Sequence, residues 1–234
     1  MDYPLRTIAY LAELLHPPRH HSAENLQKVH TFAFGDEKAR YENFSLLPGG
    51  AGASLSNPQT QVNMISSCTF LADRIQLREE MSGISREDFQ ERVARLSGLA
   101  IQVLGVEQFV AQNFIVRSLV NARNYYDSRE FLSRSVLNME EDDFACLERT
   151  PQIVGVRFVF PQTSENRGMF SIRVESYAAE PRSLFIENVG VFRSVVNQAN
   201  LADLTSSLFA TYDYIDGNVV NFISQFDARE EPPA

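Results

Sequence analysis

Cysteine is nearly absent from this chain of 234 residues, which carries only Cys68 and Cys146. They lie far apart, each beside apolar residues, so the expectation is two buried free thiols and not a disulfide or a redox pair. Long apolar runs are missing too. None approaches the roughly 18 to 20 residues that span a bilayer, and the N-terminus lacks the basic-then-apolar order of a signal peptide. A cytoplasmic protein without membrane contact is expected. Positive charge is also short: 21 Lys and Arg stand against 30 Asp and Glu, a net charge of −9. Phosphate binding rests on a clustered basic surface, so nucleic acid is an unlikely partner. Arg86, Arg92 and Arg95 share a predicted helix with Glu87, Asp88 and Glu91, the mixed signs of a solvated face.

Motifs that carry chemistry are missing as well. The four histidines all precede residue 31. His16, His20 and His21 fall close together, but their spacing matches no ligand pattern and no Asp, Glu or Cys joins them, so a polar loop is expected. Pro48-Gly49-Gly50-Ala51-Gly52-Ala53-Ser54 is glycine-rich, yet no Gly-Lys-Ser/Thr follows and Asn57-Pro58 interrupts any helix, which leaves a flexible loop. Met139-Glu140-Glu141-Asp142-Asp143 lacks the glycine and spaced ligands of a calcium loop and reads as a solvated connection. Nothing resembles Gly-x-Ser-x-Gly or His-Glu-x-x-His. No catalytic, cofactor-binding or metal-binding residue is therefore named; Asp73, Glu79 and Glu175 are the carboxylates considered for acid–base work.

What the chain does hold is a packed globular composition, 44% hydrophobic and 11% aromatic. The stretch from Ser183 organises it: a strand, Leu184 to Phe192, then one long helix on which Leu201, Leu204, Leu208, Tyr212, Ile215, Val219, Phe222 and Phe226 recur every three or four residues. Upstream, Val154 to Phe160 and Phe170 to Val174 alternate and form a meander with the Leu184 strand. A second helix, 85 to 104, opens at Ser85 and stops at Gly105, with Phe89, Val93, Leu96, Ala100 and Val103 as its stripe. Phe114 to Ala122 reads as a strand partly covered on both faces, and Ser128 caps a short helix, Arg129 to Leu137.

Nearer the N-terminus, Leu5, Ile8, Leu11 and Leu15 show a helical period between Pro4 and Pro17, predicting a helix within residues 1–16. Val29 to Phe34 and Arg40 to Leu47 read as a hairpin joined by Gly35-Asp36-Glu37-Lys38. Thr69 to Glu80 reads as one strand with Leu71, Asp73, Ile75, Leu77 and Glu79 on one side. Asp73 interrupts that face, either as a strand end facing water or as a buried carboxylate paired with Arg117. The fold class expected is α+β: antiparallel sheet with long amphipathic helices on one face. It forms a single domain, with two related strand-strand-strand-helix halves, 24–138 and 150–227, and a disordered tail at 228–234.

The segments Phe70 to Glu79, Phe114 to Ala122 with Arg117 and Asn121, Leu184 to Phe192, and Tyr212 to Phe226 resemble a sporadically distributed family of uncharacterised bacterial α+β proteins. That family's central strand carries an Arg-aromatic-aliphatic-Asn motif where this chain reads Arg117-Ser118-Leu119-Val120-Asn121. The resemblance implies an α+β domain and brings no activity. The functional expectation is a non-catalytic binding or assembly protein, pairing with itself as a homodimer or with another protein. The alternative is a small-molecule sensor or carrier, or a carboxylate-based enzyme, with its site in a concave sheet face.

Overall fold

The structure, a computed structural model, describes residues 3–227, so the tail expected at 228–234 lies outside the described residues. Nine strands form one antiparallel sheet: β1 Arg6–Leu15, β2 Asn43–Leu46, β3 Gly52–Ser56, β4 Ile65–Leu71, β5 Arg74–Glu80, β6 Ala111–Asn121, β7 Gly155–Phe160, β8 Gly168–Ser176 and β9 Ser183–Phe192. Their order across the sheet is β2-β3-β4-β5-β1-β6-β9-β8-β7. The helices are α1 Ala23–Phe34, α2 Arg86–Leu104, the short α3 Ser128–Glu130, α4 Ala202–Asp213 and α5 Val220–Asp227. Wide π turns extend α3 over Phe131–Val136 and join α4 to α5 over Tyr214–Val219, so the closing segment runs on as one helical rod. The expected α+β class, sheet below and helices on one face, is what the structure shows.

The strand order explains itself as two turns of one scheme. In each half a first strand (β1, β6) leads into a helix, then a meander (β2–β5, β7–β9) brings its last strand back beside the first, and a long helix follows (α2, or α4–α5). The first strands of the two halves pair with each other at the centre. The topological boundary thus falls at residues 105–110, whereas the sequence reading divided the chain at 24–138 and 150–227.

The N-terminal segment corrects the expected helix within 1–16, because Arg6–Leu15 is the central strand. Both its faces are apolar. Tyr10, Ala12 and Leu14 point under the helices while Leu11 and Leu15 lie on the opposite face, and the register slips between Thr7 and Ala9. An extra residue at a bulge reverses the side-chain alternation, and that slip is what made strand residues fall on a helical period. The next segment errs in the opposite sense: Val29 to Phe34 is the end of α1, not a strand. Ser22 caps this helix by accepting from the Asn25 N–H, and Leu26, Val29 and Ala33 are its buried stripe. The single strand expected over Thr69 to Glu80 is a β4–β5 hairpin turning at Ala72-Asp73. α2 matches its reading, with Ser85 accepting from the Asp88 N–H and Gly105 at φ 70° closing the helix.

The core lies between sheet and helices. Phe89 of α2 stacks on Tyr10 at 5.2 Å between ring centroids, and Leu204, Leu208 and Ile215 of the closing rod are fully buried. The rod reaches the sheet closely at Gly190, where a Cβ would stand 2.3 Å from Thr211 Oγ1. Asn188, also fully buried, donates from Nδ2 to the Thr211 carbonyl at 2.8 Å. Burial falls as expected for Cys68, but Cys146, expected to be buried, is exposed at the end of a 3₁₀ segment, Glu141–Leu147. No helix among the described residues is long and apolar enough to cross a membrane.

Candidate functional site: the uncovered face of the sheet

Among the described residues the helices pack over one side of the sheet, and no helix covers the other face of the central strands. Register brings a row of residues into line there: Glu80 on β5, Ala9 on β1, Arg117 on β6, Glu187 on β9, Arg173 on β8 and Arg157 on β7. Residues directly opposite on antiparallel strands stand side by side on one face. Opposite charges therefore meet. Arg117 Nε donates to Glu187 at 2.7 Å, and its Nη1 reaches Glu80 at 3.4 Å over the small Ala9. Arg78 holds Glu80 from the far side at 2.7 Å, and Arg173 pairs with Glu187 at 3.2 Å.

One row away the face turns apolar, with Leu11, Ile115 and Val189 in line. Beyond them Glu13 accepts from Arg74 Nη1, Gln76 Nε2 and Asn113 Nδ2, each at 2.9 Å. Partial burial pushes the Glu13 carboxyl up, but these hydrogen bonds outweigh it, so its pKa lies below the ordinary carboxylate value. Leu11, Ile115 and Val189, with Glu13, Glu80 and Arg117, line a concavity of about 580 Å³.

The carboxylates considered from sequence are not brought together. Asp73 sits in the β4–β5 turn, 45% exposed and bound by Arg74, so of its two readings the water-facing one holds; Arg117 pairs elsewhere. Glu175 lies on the uncovered face beside Arg173 at 3.6 Å. Glu79 lies on the opposite face, 1% exposed, where it accepts from Arg92 of α2, from Tyr41 Oη at 3.1 Å and from Ser66 Oγ at 2.9 Å. Arg92 also donates to the Lys38 carbonyl and lies over the Tyr41 ring. Burial, then the neighbouring Cys68 and Glu79, push the Tyr41 phenol well above its ordinary value. The Glu79 cluster ties α2 to the sheet.

The expected polar loop of histidines is partly a buried pair. His16 and His21 are 4% and 7% exposed with ring centroids 5.7 Å apart, while His20 is exposed. Burial first, then His16, holds the His21 pKa below its ordinary value. In the acidic run, Glu140 and Asp143 cap the 3₁₀ segment reciprocally. Among the described residues no cluster of three or more His, Cys, Asp or Glu could hold a metal ion. No family model matches this chain, and no curated protein matches it.

A concave sheet face was named in the alternative reading, but the row of residues on it was missed in sequence because its signal is cross-strand. Glu80, Arg117, Glu187 and Arg173 are far apart along the chain and line up only once the register is known. The local hint was a charged residue on the less buried phase of each central strand.

Proposed function

We propose that this chain is a non-catalytic binding protein that docks another protein on the uncovered face of its sheet. The observation that supports this most is the row Glu80, Arg117, Glu187, Arg173 beside the apolar line Leu11, Ile115, Val189. Alternating charges over a half-buried apolar patch match a protein surface of mixed charge better than a polyanion. Each carboxylate on the row already receives a guanidinium, an arrangement for recognition and not for proton transfer.

The concavity favours a second reading. At about 580 Å³ it has the size of a small-molecule pocket, and a zwitterionic ligand carrying an apolar side chain would meet Glu13, Arg117 and Leu11 there.

Native mass spectrometry of the full chain purified without denaturation tests both, beside a variant with Arg117→Gln and Arg173→Gln. A protein subunit that accompanies the wild type and leaves the variant is the expected result. A bound mass of roughly a few hundred daltons in its place transfers the face to the second reading. A subunit other than a second copy of this chain that both proteins retain equally overturns the use of this face.

A further inference from the structure

The two edges of the sheet are not alike. β2 is only four residues long, Asn43 to Leu46, and so makes a poor template. β7 is the reverse: Val156-Arg157-Phe158-Val159-Phe160, with Phe158, Val159 and Phe160 exposed at 37%, 58% and 40%. On its helix side Phe158 and Phe160 wall a groove of about 290 Å³ with Tyr214 and Phe222 of the closing rod, which stops short of covering this edge.

We propose that β7 is a homodimerisation strand, pairing antiparallel with β7 of a second copy across a two-fold axis so that two sheets become one. This stands on a different surface from the docking face and does not depend on it.

The hydrogen-bond phase leaves the edge open in a usable way. The Ser176 N–H donates to the Val154 carbonyl at 2.9 Å, which fixes the phase of the β7–β8 ladder. Val154, Val156, Phe158 and Phe160 turn their backbone groups toward β8, and Gly155, Arg157 and Val159 turn theirs outward. Symmetric registers centred on Val156, Arg157, Phe158 or Val159 all match outward positions to outward positions. Centring on Arg157 sets two guanidiniums face to face, which is repulsive. Centring on Phe158 sets Arg157 opposite Val159 of the second copy and closes Phe158 on its own symmetry mate, fusing the two aromatic grooves. Charge disfavours the Arg157 centre, a Val156 centre sets Phe158 to Phe160 opposite residues ahead of the strand, and a Val159 centre sets Arg157 opposite Pro161, which has no N–H, so the Phe158 register is the one selected. Taking about 200 Å² for each full side chain, the exposed fractions of Phe158, Val159 and Phe160 come to roughly 270 Å² per copy. About 540 Å² of side chain in total is below the size of a stable specific interface, so the pairing rests largely on the ladder hydrogen bonds and the dimer is weak and concentration-dependent.

Sedimentation velocity on the full chain over a series up to about 500 µM tests this. The expected result is a monomer–dimer equilibrium that Val159→Pro weakens at least about tenfold. The circular dichroism spectrum should stay unchanged, because the lost N–H points away from β8. Arg117→Gln should leave the equilibrium as it is. In a Cys146→Ser background, Phe158→Cys should cross-link by oxidation faster than Arg157→Cys, since it lies on the two-fold axis. A monomer at every concentration, a dimer that Val159→Pro spares, or faster cross-linking through Arg157→Cys would each overturn the proposal.

Discussion

The Glu79–Arg92 pair offers the sharpest test of how the first half is held together. Glu79 is 1% exposed and Arg92 14%, so neither charge has water to fall back on. Glu79→Gln keeps an acceptor for Tyr41 Oη and Ser66 Oγ and removes only the charge facing Arg92. A buried charge left without its partner costs about 3 kcal/mol. Arg92→Met strands Glu79 in the same way, again at about 3 kcal/mol, with its two hydroxyl donors still in place. Both changes together leave a neutral amide among hydroxyls and an apolar side chain over the Tyr41 ring. The double variant should therefore lose about 3 kcal/mol or less, a coupling of about 3 kcal/mol. Urea unfolding followed by far-UV circular dichroism and tyrosine emission reads these differences; the absence of tryptophan leaves the tyrosines as the emitting residues. Tyr41→Phe should cost about 1 kcal/mol and gauges the hydroxyl contribution. Losses that add within about 0.5 kcal/mol would falsify the claim that the two charges act as a pair.

Two further outcomes follow from geometry already described. Gly190→Ala should destabilise by about 1 to 3 kcal/mol, because its Cβ meets Thr211 Oγ1 at 2.3 Å; Thr211→Ala in the same chain should recover part of the loss in a urea titration. The pKa of His21 is depressed in the folded state, so the unfolded chain binds the proton more readily. Its stabilising contribution is complete above the unfolded value near 6.5 and is lost as pH falls toward the lower folded pKa. Wild type should lose stability from pH 7.5 to pH 5.5 by more than His21→Leu does; equal slopes would remove His21 from the account.

How far the fold was legible depended on whether a segment's pattern was set by one neighbour or by several. α2, with its Ser85 and Gly105 ends, and β8 and β9, whose burial alternates, each face one buried layer and were readable from the local pattern, while β6 was read as a strand but with both faces partly covered. β1 was not, because a central strand with a bulge carries apolar residues on both phases, and Leu5, Ile8, Leu11 and Leu15 imitate a helix. Its burial is decided by β5 and β6, which come long after it in the chain. α1 was lost for the converse reason: the aromatic and β-branched content of Val29 to Phe34 suggested a strand, while Ser22 and the Leu26-Val29-Ala33 stripe decided for helix. The same limit applies to the charges. A buried carboxylate paired with arginine was the right kind of feature to look for, but the pairing is Glu79 with Arg92, across the sheet–helix boundary, and not Asp73 with Arg117.

The chain also closes on itself. Tyr3 Oη donates to Asp227 Oδ2 at 2.7 Å, and the same carboxylate accepts from the backbone N–H groups of Arg123 and Asn124. The first and last described residues are thus fastened to one spot at the end of β6. Because the halves follow one scheme and meet at residues 105–110, their order along the polypeptide is close to arbitrary. A short linker across the Tyr3–Asp227 contact, with new ends opened near Glu107, would put the second half first and still bring every strand to its present neighbour.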